Sequence, residues 1–349
     1  MVDRARLSLR GLRQSLVPDQ ADAILSFWAW WPTVADGIAR GFSSKLPPEI
    51  IAELSERVGA IDPSLDWEFG PGLRAQHHLC LSAKGDPVLR VAAERWLRRA
   101  PPADATWEFH ASRQASSLEG LTLDIAEHSV ELMDVMVAPA LDEAREVFDV
   151  RLYHPIFERI ADEDLRAQIV FIALDNFFGE DGVERWIGAV DVVPALPEGA
   201  VPLAELKRSV AEFSARATGE KFVVLRGERE GSPLFVTFNA ACKRVDHLLL
   251  DMHVAIDIEL ASPTPEGLTT TAEAEALDAM EDDLLRALGA EAVYIGRETG
   301  EGHRTLHLHV MEGGPSAALL ERWTRRYPAY SIALSVAPDP RWDILDRWR

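Results

Sequence analysis

Histidine recurs along one short stretch of the chain, where His303, Thr305, His307 and His309 alternate with Arg304, Leu306, Leu308 and Val310. That is the period of an extended strand. The three imidazoles therefore share one face, and the aliphatic side chains point the other way. His307 and His309, two positions apart, could both reach a single metal ion. Zinc takes about three or four ligands, so one strand supplies only part of a site. A solvated or interface-facing histidine row explains the same pattern. No metal ion and no cofactor is expected.

A second constellation lies in the first third of the chain. Trp67-Glu68-Phe69 and Trp107-Glu108-Phe109 each place one carboxylate between two aromatics. In extended segments the aromatics turn inward, and Glu68 and Glu108 turn to the side that carries His78 and Cys80. Two carboxylates beside a histidine could do acid-base work or hold a metal. Half-buried sheets alternate in this way without any chemistry, so a merely polar face also accounts for it. Glu68, His78, Cys80, Glu108, His303, His307 and His309 are the candidate polar binding face, and no catalytic residue is assigned.

A repeat connects the two stretches. Glu94-Arg95-Trp96-Leu97-Arg98-Arg99-Ala100-Pro101 returns 227 positions later as Glu321-Arg322-Trp323-Thr324-Arg325-Arg326-Tyr327-Pro328, with six of eight residues identical. The same offset lays Gln76, His78, Cys80 and Ser82 on His303, Thr305, His307 and His309, with Leu79 and Leu81 on Leu306 and Leu308. Repeats of this kind govern architecture. The paired arginines lie in last helical turns, where cations favour the helix dipole, so the octet is read as the end of a helix.

The elements around the octets follow one order. In the first copy a helix from Pro47, with Ile51, Leu54 and Val58 in helical phase, precedes strands over Leu65 to Phe69 and Gln76 to Ser82. Asp86 and Pro87 then open a helix, and a strand spans Thr106 to His110. In the second copy a helix carrying Leu277, Met280, Leu284 and Leu288 stops at Gly289. Strands follow over Ala292 to Ile295 and His303 to Val310, then a helix to Tyr327 and a strand over Ile332 to Val336. A preceding strand, His253 to Leu260, completes β-α-β-β-α-β in that copy. The expected fold class is α+β, with two related ferredoxin-like units of antiparallel sheet from an internal duplication. Further strands are expected over Leu121 to Ile125, Met133 to Val137 and Val147 to Tyr153, and helices over 162–178 and 203–215. The Pro-containing run Ala195 to Pro202 reads as the linker, giving domains 1–201 and 202–349.

Composition bounds the partners. With 57 acidic against 36 basic residues, the net charge of -21 repels nucleic acid unless a basic patch overrides it, and none is seen. Two cysteines, Cys80 and Cys242, propose no disulfide framework and fit a reducing compartment. Arg4, Arg6, Arg10 and Arg13 precede the apolar stretch Ala23 to Ala35, which is too short for a membrane span and contains Pro32. Localisation is expected to be cytoplasmic. Phe27, Trp28, Trp30 and Trp31 could stack on a nucleic acid or ligand; at helical spacing among apolar neighbours they read as core or interdomain anchors. No G-x-x-x-x-G-K-[ST], G-x-S-x-G, H-E-x-x-H or C-x-x-C is present.

From about Lys221 onward the chain resembles a bacterial family of unknown function, domain 695. The resemblance rests on His253-Val254-Ala255-Ile256, Pro265-Glu266-Gly267-Leu268, Glu281-Asp282-Asp283-Leu284, the run Gly296 to Arg304, and Pro338-Asp339-Pro340-Arg341-Trp342. It implies a ferredoxin-like α+β fold related to the B-type regulators of ribonuclease E activity, and it supplies no catalytic residue to carry over. Those regulators are acidic proteins that bind another protein, an analogy of fold alone.

The resulting expectation is a non-enzymatic interaction or regulatory protein whose partner is another protein with a basic surface, not nucleic acid or membrane. The alternative is an enzyme or small-ligand or metal binder using a polar cleft between the two domains.

Overall fold

The computed structural model describes residues 18–42 and 46–349; Arg4, Arg6, Arg10 and Arg13 lie outside the described residues. Two compact units account for it, Ala23–Gly219 and Glu220–Arg349, the latter grouped with residues 18–22. Among the described residues no helix is long and apolar enough to cross a membrane.

The first unit begins at Ala23 within α1 (Pro18–Trp30) and continues with a 3-10 turn (Trp31–Thr33), α2 (Ala35–Gly41) and α3 (Pro48–Ile61). Pro32 sits in that turn and lacks the N–H a continuous helix would use, which is why the aromatic segment breaks there. Next come β1 (Asp66–Pro71), β2 (His77–Ser82), α4 (Pro87–Leu97) and β3 (Trp107–His110). Asp86 starts α4 by accepting from Val88 N at 2.7 Å. β1 pairs antiparallel with β2, and β2 pairs parallel with β3. One face of this sheet packs Leu79, Leu81, Trp107 and Phe109 against Phe27, Trp31, Leu54, Val58 and Trp96. The aromatic segment is thus core: Trp28 stacks on Trp96 at 4.7 Å and donates to its carbonyl.

The order helix, strand, strand, helix, strand recurs in the second unit, but the sheets differ. The first copy builds three strands in the order β1-β2-β3, not the four of the expected ferredoxin-like plan. In the second unit a strand lies between the equivalents of β2 and β3, antiparallel to both. Among the described residues the first sheet has no such strand, and β2 pairs directly with β3 in parallel.

The rest of the first unit holds β4 (Thr122–Ile125), β5 (His128–Glu131), β6 (Met136–Asp142), β7 (Val147–Tyr153), α5 (Glu163–Phe178), α6 (Glu180–Trp186), β8 (Ile187–Val192), β9 (Val201–Pro202) and α7 (Leu203–Ser214). A four-stranded sheet runs β8-β7-β6-β9. Leu203, Leu206, Val210 and Phe213 of α7 pack into the core formed by Val137, Phe148, Val150 and Leu174. That packing moves the boundary from the expected 201/202 to Gly219. Glu146, 3% exposed, fixes the exit by accepting from Thr218 N at 3.1 Å and Gly219 N at 2.9 Å.

The second unit contains β10 (Phe222–Arg229), β11 (Ser232–Asn239), β12 (Met252–Glu259), α8 (Thr271–Leu288), β13 (Ala292–Gly300), β14 (His303–Val310), α9 (Ser316–Thr324), β15 (Ile332–Pro338) and α10 (Asp343–Asp346). Its sheet runs β10-β11-β13-β14-β12-β15, antiparallel throughout. Glu301 and Gly302 join β13 to β14 with φ of 53° and 80°. A two-residue hairpin turn with both central φ positive matches the strand twist, and glycine adopts that conformation without penalty. Leu306, Leu308 and Val310 face Leu277, Met280, Leu284, Leu320 and Trp323 of the helices. The opposite face carries His309 beneath Trp342 and His307 beside Trp348, and these tryptophans cluster with Ile344 and Leu345.

Candidate functional site

In the first unit the structure brings Glu68, His78, Cys80 and Glu108 to one face. Glu68 is opposite Cys80, and His78 is opposite Glu108. That face is covered over Cys80 and Glu108, while Glu68 and His78 stay partly exposed. Cys80 is fully buried, and Glu108 is 6% exposed. The cover comes from the chain after β3 and the junction of α5 and α6. Arg113 pairs with Glu68 at 3.1 Å, while Glu180 accepts from Ser82 Oγ at 2.9 Å and from Arg113 N at 3.2 Å.

Glu108 has a structural task. Its carboxylate accepts from Leu73 N at 2.6 Å, Arg74 N at 3.0 Å and Ala75 N at 3.1 Å, and from His110 Nε2 at 3.1 Å. It organises the turn between β1 and β2. Burial alone would raise its pKa, but these donors outweigh burial and hold it down to about 2. Cys80 goes the other way: burial first, then Glu68 and Glu180, push its thiol far up, so it is no nucleophile at neutral pH. His78 Nδ1 lies 3.0 Å from the Pro71 carbonyl.

In the second unit His303, His307 and His309 share a face, as the alternation implied, but not an environment. His309 is fully buried. It stacks flat on Trp342 at 4.3 Å and 12° and places Nε2 3.2 Å from Asp339 Oδ2. His307, 6% exposed, places Nδ1 3.0 Å from Nε2 of His253, with the two rings parallel to within 4°. Burial, helped by His309, lowers the pKa of His253 to about 4; burial, helped by His253 and Arg347, lowers that of His307 to about 3. Both are neutral at pH 7. His307 Nε2 and His309 Nδ1 are buried without a hydrogen-bond partner. The imidazoles bond to each other or to Asp339 instead of converging, and among the described residues no group of three or more His, Cys, Asp or Glu could hold a metal ion.

His303 stands apart from them at the open end of the face. Asp257 takes His303 Nδ1 at 3.0 Å and Thr305 Oγ1 at 3.1 Å. With Nδ1 held by the carboxylate, Nε2 is the nitrogen left for other contacts. These residues line a cleft of about 280 Å³ with Arg229, Leu234, Glu298 and Glu301. Glu298 is held from both sides, by Arg229 Nη2 at 2.8 Å and Trp348 Nε1 at 3.1 Å.

Sequence reasoning missed His253, Asp257, Asp339, Trp342 and Trp348. The alternation that buries Met252, Val254, Ile256 and Ile258 already puts His253 and Asp257 on the histidine face. That β12 sits beside β14, setting His253 opposite His309, is a matter of sheet order.

Residues 221–346 match the model of a family described as "Family of unknown function (DUF695)". The match runs from β10 to α10 and includes all the histidines of the face. No curated protein and no solved structure matches the chain.

Proposed function

We propose that the protein works without catalysis, as an interaction module that takes up an extended, basic segment of a partner protein along the outer edge of β10. The observation that carries this reading is the state of that strand. β10 ends the six-stranded sheet, with β11 as its neighbour, and exposes Phe222 (52%), Val224 (65%) and Leu225 (43%). Long apolar edges invite strand addition, and proteins that do not use them blunt them. The chemistry-bearing groups elsewhere are enclosed or already bonded. A net charge of -21 favours a basic partner.

The β12–β15 portion, with the second and third strands adjacent and the first beside the fourth, supports a ferredoxin-like reading of the second unit. The shared element order and the octet support descent of both units from one duplicated ancestor. Fold analogy to acidic, protein-binding regulators points the same way.

The test compares the full chain with the double variant Val224→Arg, Leu225→Arg as bait. A partner recovered by the native chain, lost by the variant, and protecting the β10 amides from hydrogen exchange supports the reading. A partner retained by the variant, or protecting another element, defeats it.

The His303 cleft favours a second reading, a small-ligand site with Asp257 orienting the imidazole. In that case His303→Asn would abolish the thermal stabilisation given by the ligand, and the β10 variant would keep it.

A further inference from the structure

We propose that residues 339–349 are a strap, shut over the histidine face of the second unit at neutral pH and released by acid. Side chains hold the strap down at several points. Trp342 covers His309 and donates Nε1 to the Leu250 carbonyl at 3.1 Å. Trp348 meets His307 edge-on at 5.0 Å and donates to Glu298. Ile344 and Leu345 join the apolar cluster with Val236, Phe238 and Ile295, and Arg349 donates to the carbonyls of Ala240 and Cys242.

Beneath this cover, the facing nitrogens of His253 and His307 share a single proton. That arrangement suits two neutral rings. A further proton on His307 would give its buried Nε2 a hydrogen with no acceptor, and a proton on each ring would set N–H against N–H. Burying such a charge is costly unless it is paired.

The surroundings offer little relief: Asp339 favours a proton on His253, but burial and His309 outweigh it. From β10, Arg229 adds positive charge, as does Arg347 from the strap itself. Of the anions, Asp339 is taken by His309 and by Asp343 N at 2.9 Å, and Glu298 by Arg229 and Trp348. Cys242 is a neutral thiol, pushed up to about 11 by burial, and His247 stacks on Trp342 at 6.0 Å. His309 faces the carboxylate of Asp339, so the responsive pair is His253 and His307.

Lifting the strap returns both rings to water, where a histidine titrates near pH 6.5. The closed state binds these protons only near pH 4 and pH 3. Between those limits the open state carries more protons, so opening gains as pH falls. With both protons taken up, the opening equilibrium rises by up to roughly 100-fold per pH unit inside the window.

Hydrogen exchange on the full chain tests this. Between pH 7 and pH 4, after correction for intrinsic rates, amides of 339–349 should lose at least 100-fold in protection while those of α8 and β12 keep theirs. His307→Phe, and His253→Gln should the first variant fold poorly, should hold the strap shut at pH 4. A strap equally protected at pH 4, a variant that opens at the same pH as the native chain, or strap and core amides lost together would each overturn the proposal.

Discussion

Trp348 and Arg229 meet on one carboxylate: the indole N–H reaches Glu298 Oε1 at 3.1 Å and the guanidinium reaches Oε2 at 2.8 Å. Glu298 therefore ties the C-terminal segment to the end of the edge strand. The acid is 9% exposed, while Arg229 is half exposed, so the two bonds differ in worth. Screening by water leaves the ion pair about 1 kcal/mol or less. The indole bond is enclosed, and an unpaired buried N–H costs about 1–3 kcal/mol.

Glu298→Gln should thus cost about 1 kcal/mol, since an amide oxygen still accepts from Trp348. Glu298→Ala should cost about 2–3 kcal/mol. Urea unfolding of the second unit, followed through its own transition, measures both; equal losses would mean that the indole bond contributes nothing.

The same use of buried glutamates recurs. Glu108 gathers the N–H groups of Leu73, Arg74 and Ala75, Glu146 those of Thr218 and Gly219, and Glu273 those of Ala261 at 2.6 Å and Ser262 at 3.2 Å. Each acid holds a loop by its backbone amides. Charge-assisted bonds of this kind are stronger than neutral ones. Glu108→Gln should lower the stability of the first unit by about 2–4 kcal/mol, read from a urea midpoint. The pH dependence has a definite sign. A carboxylate held at about 2 in the folded chain and near 4.5 when free contributes fully above pH 4.5. That contribution drains away as pH falls toward 2, and the glutamine variant should show a shallower acid limb.

Local pattern was legible in the sequence, and what covers each face was not. The strand His303 to Val310 and the burial of Leu306 and Leu308 follow from period-two alternation, and Asp86-Pro87 signals the start of α4. The alternation also put Cys80 and Glu108 on the face away from the helices. It could not say that Arg113 and Glu180, 33 and 100 positions beyond Cys80, lie on that face. Nor could it seat Trp342 and Trp348 on the histidines, because a covering segment is chosen by tertiary packing and not by the period of the strand beneath it. The domain boundary was misjudged for a similar reason. A Pro-rich run resembles a linker wherever it occurs, and only the apolar stripe Leu203, Leu206, Val210 and Phe213 meeting the β6–β7 core shows that α7 belongs to the first unit.

Both thiols should be silent in the native chain. Cys80 and Cys242 are 0% and 3% exposed, and burial is the largest cause raising the pKa of each. A disulfide reagent at pH 8 should titrate no thiol without denaturant and two with it. Rapid reaction of Cys80 in the folded protein would show that the cover over β2 opens readily.

The two octet tryptophans offer a paired comparison across the repeat. Trp96 and Trp323 are 0% and 1% exposed and occupy matching positions in α4 and α9. Trp323 donates Nε1 to the Met280 carbonyl at 3.2 Å, whereas Nε1 of Trp96 is buried with no hydrogen-bond partner. Replacing each by phenylalanine removes similar volume but different polarity. Trp323→Phe loses a bond worth about 1 kcal/mol as well as packing. Trp96→Phe loses packing while removing a donor that was already unsatisfied, so relief of that penalty offsets part of the cost. Trp323→Phe should therefore destabilise its unit by about 1–2 kcal/mol more than Trp96→Phe destabilises its own. Separate denaturant transitions for the two units would read the difference, and a larger loss at Trp96 would mean that its N–H is bonded in solution.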